Sequence, residues 1–167
     1  MITQQETRHQ HGELPPIYIT RSKGKGWKTA LDFTVCVDVD DRHVVMTVPA
    51  GYEFDLASIP RMFWFIIAPF ELSLAAPLVH DFLYEFTGCV NPCWIEEEGE
   101  WFVPSIVTRK NADDIFDQLM KRSLIKDWRR RAAYRAVRMF SGNIWKRRVK
   151  RSITDRLDRI KSILPSK

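Results

Sequence analysis

"DFTVCVDVDDRHVVMTVPAGY" (residues 32–52) decides how the first half of the chain folds. In "DFTVCVDVD" (32–40) and "HVVMTVPAGY" (43–52) apolar and polar residues alternate, and valine and threonine dominate. A period of two marks a strand with one buried face, and branched side chains suit the pleated surface. "DVDDRH" (38–43) lies between them and reads as a turn, so the pair predicts an antiparallel hairpin. "IYITRS" (17–22) carries the same signature, while residues 1–15 are polar and read as a mobile arm.

Beyond the hairpin the pattern changes. "GYEFDLASIPR" (51–61) is irregular and precedes the aromatic run "MFWFI" (62–66). "LAAPLVHDFLYEF" (74–86) is apolar almost throughout and reads as a helix starting near Leu72 or Ser73. Pro77 either sits in its first turn, where a missing N–H costs little, or marks the true start. "TGCVNPCWIEEEGEWFVPSIV" (87–107) reads as a loop or short hairpin. "RKNADDIFDQLMKRSL" (109–124) predicts a helix with Asn111 as N-cap and Ile115, Phe116, Leu119 and Met120 on its apolar face. "KDWRRRAAYRAVRMFSG" (126–142) predicts another, closed by Gly142 as C-cap. In the last, 143–163, Trp145, Val149, Ile153, Leu157 and Ile160 recur at steps of four and three, with most of the arginines and lysines elsewhere. The expected architecture is α+β: a small N-terminal antiparallel sheet, then a helical part in which the helix at 74–86 packs against the helix at 109–124. Residues 16–142 form one domain in this reading, and 143–167 a basic amphipathic C-terminal helix.

Composition narrows the class. A chain of 167 residues with 45% apolar and 12% aromatic residues can bury a core without staples. Three cysteines, Cys36, Cys89 and Cys93, are an odd number and read as reduced thiols rather than a disulfide scaffold. No second cysteine pair or nearby histidine completes a zinc site around Cys89 and Cys93. "MITQQETRHQHGELPP" (1–16) lacks the apolar segment of a signal peptide. No run reaches the ~18 apolar residues that cross a bilayer, so a soluble protein is expected. Charge is divided: residues 1–120 hold 9 basic and 18 acidic side chains, residues 121–167 hold 17 and 3. The basic end should meet something anionic: the acidic body, nucleic acid or a lipid surface. For the helix at 126–142 the expectation is packing on the domain, with arginines solvated or paired to the body. The helix at 143–163 is the candidate for an external anionic partner, membrane surface or nucleic acid.

The chemistry gathers at His80. Residues i and i+4 share a helix face, so His80 and Tyr84 point together, with Asp81 turned by about 100°. A histidine held by a carboxylate is a general base near neutral pH, and a neighbouring aspartate can hold a cation. Asp113, in "NADDIF" (111–116), is the best carboxylate to orient His80 from a facing helix.

Three ordered motifs, "FDLASIPR" (54–61), "AAPLVHDFLY" (75–84) and "RKNADDIFDQLM" (109–120), resemble an uncharacterised family of small proteins from tailed bacteriophages and prophages. Arg109 opens the third motif. The resemblance implies a phage or prophage setting, in the bacterial host's cytoplasm or on the virion with virion proteins as partners, and no activity. More distantly, HDxxY followed by an AD dipeptide is similar to the calcium-dependent secretory phospholipases A-two, above all their disulfide-free forms in parvoviral capsid proteins. That similarity implies that His80 activates water, Asp81 holds calcium, and Tyr84 and Asp113 support His80. The phospholipases also bind calcium through a glycine-rich loop, and "GYEFDLASIP" (51–60) has one glycine. Either Asp55 replaces those ligands or the calcium site is absent.

Other readings stand beside this one. His80, Tyr84 and Asp113 can form a purely structural network, with Asp81 capping backbone or pairing with Arg61. The protein is then a non-enzymatic phage accessory or virion component whose basic helix binds an anionic partner. A phosphohydrolase of the HD type needs more histidines, and His9, His11 and His43 lie in the arm or a strand turn. Asp55 serves as a metal ligand or as a turn cap accepting from Ala57 and Ser58, the reading favoured here. Ser58 lacks the elbow motif of a nucleophilic serine.

Overall fold

A computed structural model of the chain describes residues 14–23, 26–40, 42–54, 74–87, 95–96 and 107–163, with backbone alone at 95–96, 152–153 and 155–163. In chain order the elements are β1 (Ile19–Arg21), β2 (Trp27–Thr29), β3 (Phe33–Val39), β4 (Arg42–Val48), β5 (Glu53–Phe54), α1 (Ala75–Glu85), β6 (Ile95–Glu96), α2 (Arg109–Arg122), α3 (Asp127–Phe140) and α4 (Gly142–Ile163). The α+β expectation holds: small antiparallel sheets come first, then four helices.

The hairpin at 33–48 forms as its periodicity requires. Phe33 pairs with Val48, Val35 with Met46 and Val37 with Val44, and all six side chains are buried. Each such burial contributes about 1.5–3 kcal/mol, which fixes the register because a one-residue slip would turn the whole set outward. Val39 faces Arg42, leaving a two-residue turn in which Asp40 adopts φ 48°. Positive φ matches the turn's twist to that of the strands, and aspartate tolerates it better than most residues. β6 continues this sheet beside β4, and β1, β2 and β5 make a second one. Strands of two or three residues have too little length to show a period, so β2 and β5 were not anticipated, while β6 falls in the stretch read as a loop or short hairpin.

Among the described residues β3 is an edge, and α2 covers it. The Gln118 amide accepts from Asp38 N at 2.9 Å and donates to Asp38 O at 2.8 Å, in the manner of a neighbouring strand. Arg122 Nη1 donates to Cys36 O at 2.7 Å, and Asn111 Nδ2 donates to Asp40 Oδ2 at 2.9 Å. These bonds satisfy edge groups that would otherwise invite another strand, and they anchor the helix that carries Asp113.

α1 is buried on every side except at Asp81 and Glu85, which makes it the central helix. Pro77 is its third residue, within the first turn whose N–H groups have no partner in the helix. The helix begins at Ala75; Leu72 and Ser73 lie outside the described residues. Two predicted caps are corrected. Thr108, not Asn111, caps α2 by accepting from Asn111 N at 3.2 Å, so Asn111 is three residues inside and turned to Asp40. Gly142 does not end α3 in a left-handed cap. Ser141 closes α3 through a bond from its N–H to Val137 O at 3.0 Å, and Gly142 opens α4.

Candidate functional site

α1 and α2 pack against each other, and the contact brings three predicted residues together. His80 Nε2 lies 3.1 Å from Asp113 Oδ1, and the Tyr84 hydroxyl donates to the same oxygen at 2.7 Å. The i to i+4 spacing also stacks the two rings, with centroids 4.2 Å apart, while Phe116 flanks the imidazole at 5.1 Å. On the other carboxylate oxygen, Arg138 Nη1 donates to Oδ2 at 2.9 Å and Arg109 Nε stands at 3.9 Å.

Asp113 is wholly buried, and its charge state follows from its partners. Burial pushes the carboxyl upward, but bonds from His80, Tyr84 and Arg138 outweigh it and hold the group below its ordinary range. A carboxylate only accepts, so His80 Nε2 must carry the proton and Nδ1 the lone pair in the neutral ring. No described residue bonds Nδ1, and a tenth of the His80 side chain is exposed. Tyr84 gives its proton to Asp113, and Ser141 Oγ, 2.6 Å from the phenol oxygen, has one proton for two acceptors, that oxygen and Val137 O at 2.5 Å. Burial, opposed by the Ser141 bond and reinforced by Asp113, pushes the Tyr84 phenol well up and keeps it a donor.

The shell around this centre comes largely from α3, a helix expected to pack on the domain with its arginines solvated or paired to the acidic body, though none of its residues was singled out for the site. Asp113, Asp114 and Asp117 on α2 receive bonds from Arg138, Tyr134 and Arg130 of α3. Steps of four on the antiparallel helix match steps of one and three on α2, so acid and donor meet in reverse order. The Asp114 bond, then burial, pushes the Tyr134 phenol up to about 12. Part of the basic end therefore pairs with the acidic body, one of the three partners its charge allowed. The spacing of Arg130, Tyr134 and Arg138 was the available signal. Trp145 of α4 completes the wall, edge-on to Tyr84 at 4.8 Å between centroids.

The remaining predicted residues fall elsewhere. Asp81 faces a different group: the Tyr52 hydroxyl donates to Glu85 Oε2 at 3.1 Å, and burial, then the Glu85 and Asp81 carboxylates, push that phenol far up, with Arg148 opposing. Arg109 reaches past Asp113 to the end of α3, donating through Nη2 to Arg138 O at 3.3 Å. Gly142 makes room for it, since a Cβ there would meet Arg109 Nη1. Asp55, Ser58 and Arg61 lie outside the described residues, as do Cys89 and Cys93. Calcium takes about six to eight oxygens. Among the described residues no three His, Cys, Asp or Glu side chains converge to hold a metal. Those residues alone do not make the calcium site that the phospholipase resemblance implies.

The fold and the centre define a small α+β protein with a buried histidine–aspartate pair clamped between two helices. The chain belongs to DUF1353, a family of proteins of unknown function, whose pattern matches residues 27–137. That span includes β3, β4, α1, α2 and nearly all of α3, and so His80, Tyr84 and Asp113; Arg138 and Ser141 lie just past its end. No curated protein and no solved structure matches the chain. Among the described residues no helix is long and apolar enough to cross a membrane.

Proposed function

We propose that His80, held by Asp113, is a general base that activates water for ester hydrolysis, with a lipid ester as substrate. The observation that carries the reading is the bond from His80 Nε2 to a buried, anionic Asp113, which leaves Nδ1 as the basic atom. Nδ1 takes a proton from water as its oxygen attacks the ester carbonyl. The imidazolium that forms is stabilised by Asp113, and it returns the proton to the departing alkoxide. Tyr84 and Arg138 are positioning residues in this scheme: they hold the carboxylate, and the carboxylate holds the ring. The lipid ester comes from the resemblance of HDxxY and AD to the phospholipases. No step runs through a metal.

A second reading has its own support. Asp113 has no exposed surface, and three side chains bond its two oxygens, as in a network that only fixes a core. In that reading the chain is a non-enzymatic accessory or virion protein, the setting that its phage-like motifs suggest.

Fatty-acid release from phospholipid vesicles, with calcium and with chelator, separates the two. The hydrolase reading predicts release by the wild type and a loss of about a hundredfold or more in His80→Ala. Equal rates in folded wild type and His80→Ala, or no release in either medium, leave the structural reading.

A further inference from the structure

α3 turns one face inward to the acids of α2 and leaves the opposite face unusual for a water-soluble helix. Trp128, Arg131, Arg135 and Met139 are all exposed, at 60% for Trp128 and 74% for Met139. At 100° per residue these four positions fall within about 80° of arc and run ~16 Å along the helix. At its C-terminal end the stripe meets the corner with α4, where Phe140 and Ile144 are 48% and 46% exposed. Exposed Lys146 and Arg147 follow on α4. Leu124, 91% exposed, stands just before the helix.

We infer that this outward face of α3 and the α3–α4 corner form a docking surface for an anionic lipid bilayer. Large apolar side chains at both ends of a stripe, with arginines between them, match the two layers of a membrane interface. Apolar groups enter the acyl boundary while guanidinium groups bind phosphates. Charge complementarity selects the anionic surface, because residues 121–167 carry 17 basic and 3 acidic side chains. Nucleic acid would use the arginines but gives Met139 and Ile144 nothing to bury against. A second copy docking through the same face would set Arg131 and Arg135 against their own equivalents. The described helices are too short or too polar to cross a bilayer, so this contact lies in the interface plane.

The surface adjoins the His80 centre. Arg138 and Ser141, which bond Asp113 and Tyr84, belong to the same corner. Along α4 a groove of about 580 Å3, lined by Trp145, Lys146, Val149, Lys150 and Thr154, repeats the pairing of apolar and basic side chains. Its Trp145 packs against Tyr84. Docking itself needs no hydrolysis, so it stands or falls separately from the role of His80.

The test is sedimentation of the full chain with vesicles of phosphatidylcholine alone and of phosphatidylcholine mixed with phosphatidylglycerol. The expected result is binding to the anionic vesicles that weakens in high salt and is small on the neutral ones. Arg131→Glu with Arg135→Glu, and separately Met139→Glu with Ile144→Glu, should each reduce partitioning about tenfold or more. Unchanged urea midpoints verify folding, and Met139→Ser with Ile144→Ser replaces the second pair if the glutamates unfold the chain. His80→Ala should bind vesicles as the wild type does, whatever its activity. Equal binding by the double variants, or no binding by the wild type, overturns the proposal. Retention of duplex DNA in place of vesicles overturns it in favour of nucleic acid, and dimerisation that depends on Met139 and Ile144 overturns it in favour of self-association.

Discussion

Arg138 and Asp113 meet at 2.9 Å across the α2–α3 packing, on the carboxylate oxygen that His80 and Tyr84 leave free. Asp113 has no exposed surface, whereas the Arg138 side chain keeps a third of its own. The two ends of this ion pair therefore differ in what their loss would cost. Asp113→Ala leaves His80 Nε2–H and the Tyr84 hydroxyl without their acceptor in a buried space, at about 1–3 kcal/mol each, and should cost about 3–5 kcal/mol. Arg138→Met leaves the carboxylate its other two donors and should cost about 1–3 kcal/mol. Urea unfolding of the two variants measures both; equal costs would mean that the asymmetric burial is not felt.

Acid should weaken this centre only once the pH falls below the ordinary carboxylate range. Folding lowers the Asp113 pKa from its ordinary 3.8, so the unfolded chain binds that proton more readily than the folded one. The stability it contributes is complete above its unfolded value, near pH 4, and is lost as the pH falls through the lower folded value. Urea midpoints followed from neutral pH into acid should show the gap between wild type and Asp113→Asn closing as the pH drops. A gap that stays constant would show that the charge on Asp113 does not stabilise the fold.

Leu124 sits where glycine belongs. Leu124 N bonds Lys121 O at 3.0 Å and Ile125 N bonds Met120 O at 3.2 Å, the paired closure of a helix end. That closure places Leu124 at φ 58° with its side chain 91% exposed. Left-handed backbone costs a side-chain-bearing residue about 1–2 kcal/mol, and little packing offsets it. Leu124→Gly should raise stability by about 1 kcal/mol in thermal or urea unfolding. A loss instead would mean that the leucine side chain is held by contacts in solution.

Gly142 and Arg109 are coupled through space. Since a Cβ at 142 would displace the Arg109 guanidinium, Gly142→Ala should destabilise the wild type. In an Arg109→Ala background the same change removes a glycine from a helix with nothing to displace, and should gain up to about 1 kcal/mol. The sign reversal in a double-mutant cycle is the readout; additive effects would show that the arginine does not occupy that space.

Much of this was legible in the sequence, for identifiable reasons. The β3–β4 hairpin declared itself because seven-residue strands give a period of two room to repeat. The His80–Asp113 contact could be anticipated because an apolar helix holding His80 needs a buried partner, and "NADDIF" offers a carboxylate one turn before Phe116. The α3 ladder was half hidden: the spacing of Arg130, Tyr134 and Arg138 puts them on one helix face, but which acids they meet is set by antiparallel packing. Asn111 and Gly142 misled because each suits the role assigned to it, while Thr108 and Ser141 nearby perform those roles. The apolar outward stripe of α3 was obscured by its arginines, which read as a solvated face.

The account turns on which ring nitrogen of His80 carries the proton. Nitrogen-15 NMR of the imidazole, in wild type and Asp113→Asn at neutral pH, reads this directly. The wild type should show Nε2 protonated and Nδ1 bearing the lone pair, with that preference weakened in Asp113→Asn. A wild-type ring protonated on Nδ1 alone would mean that Asp113 is not an anionic acceptor, and would remove the base from the proposed hydrolysis.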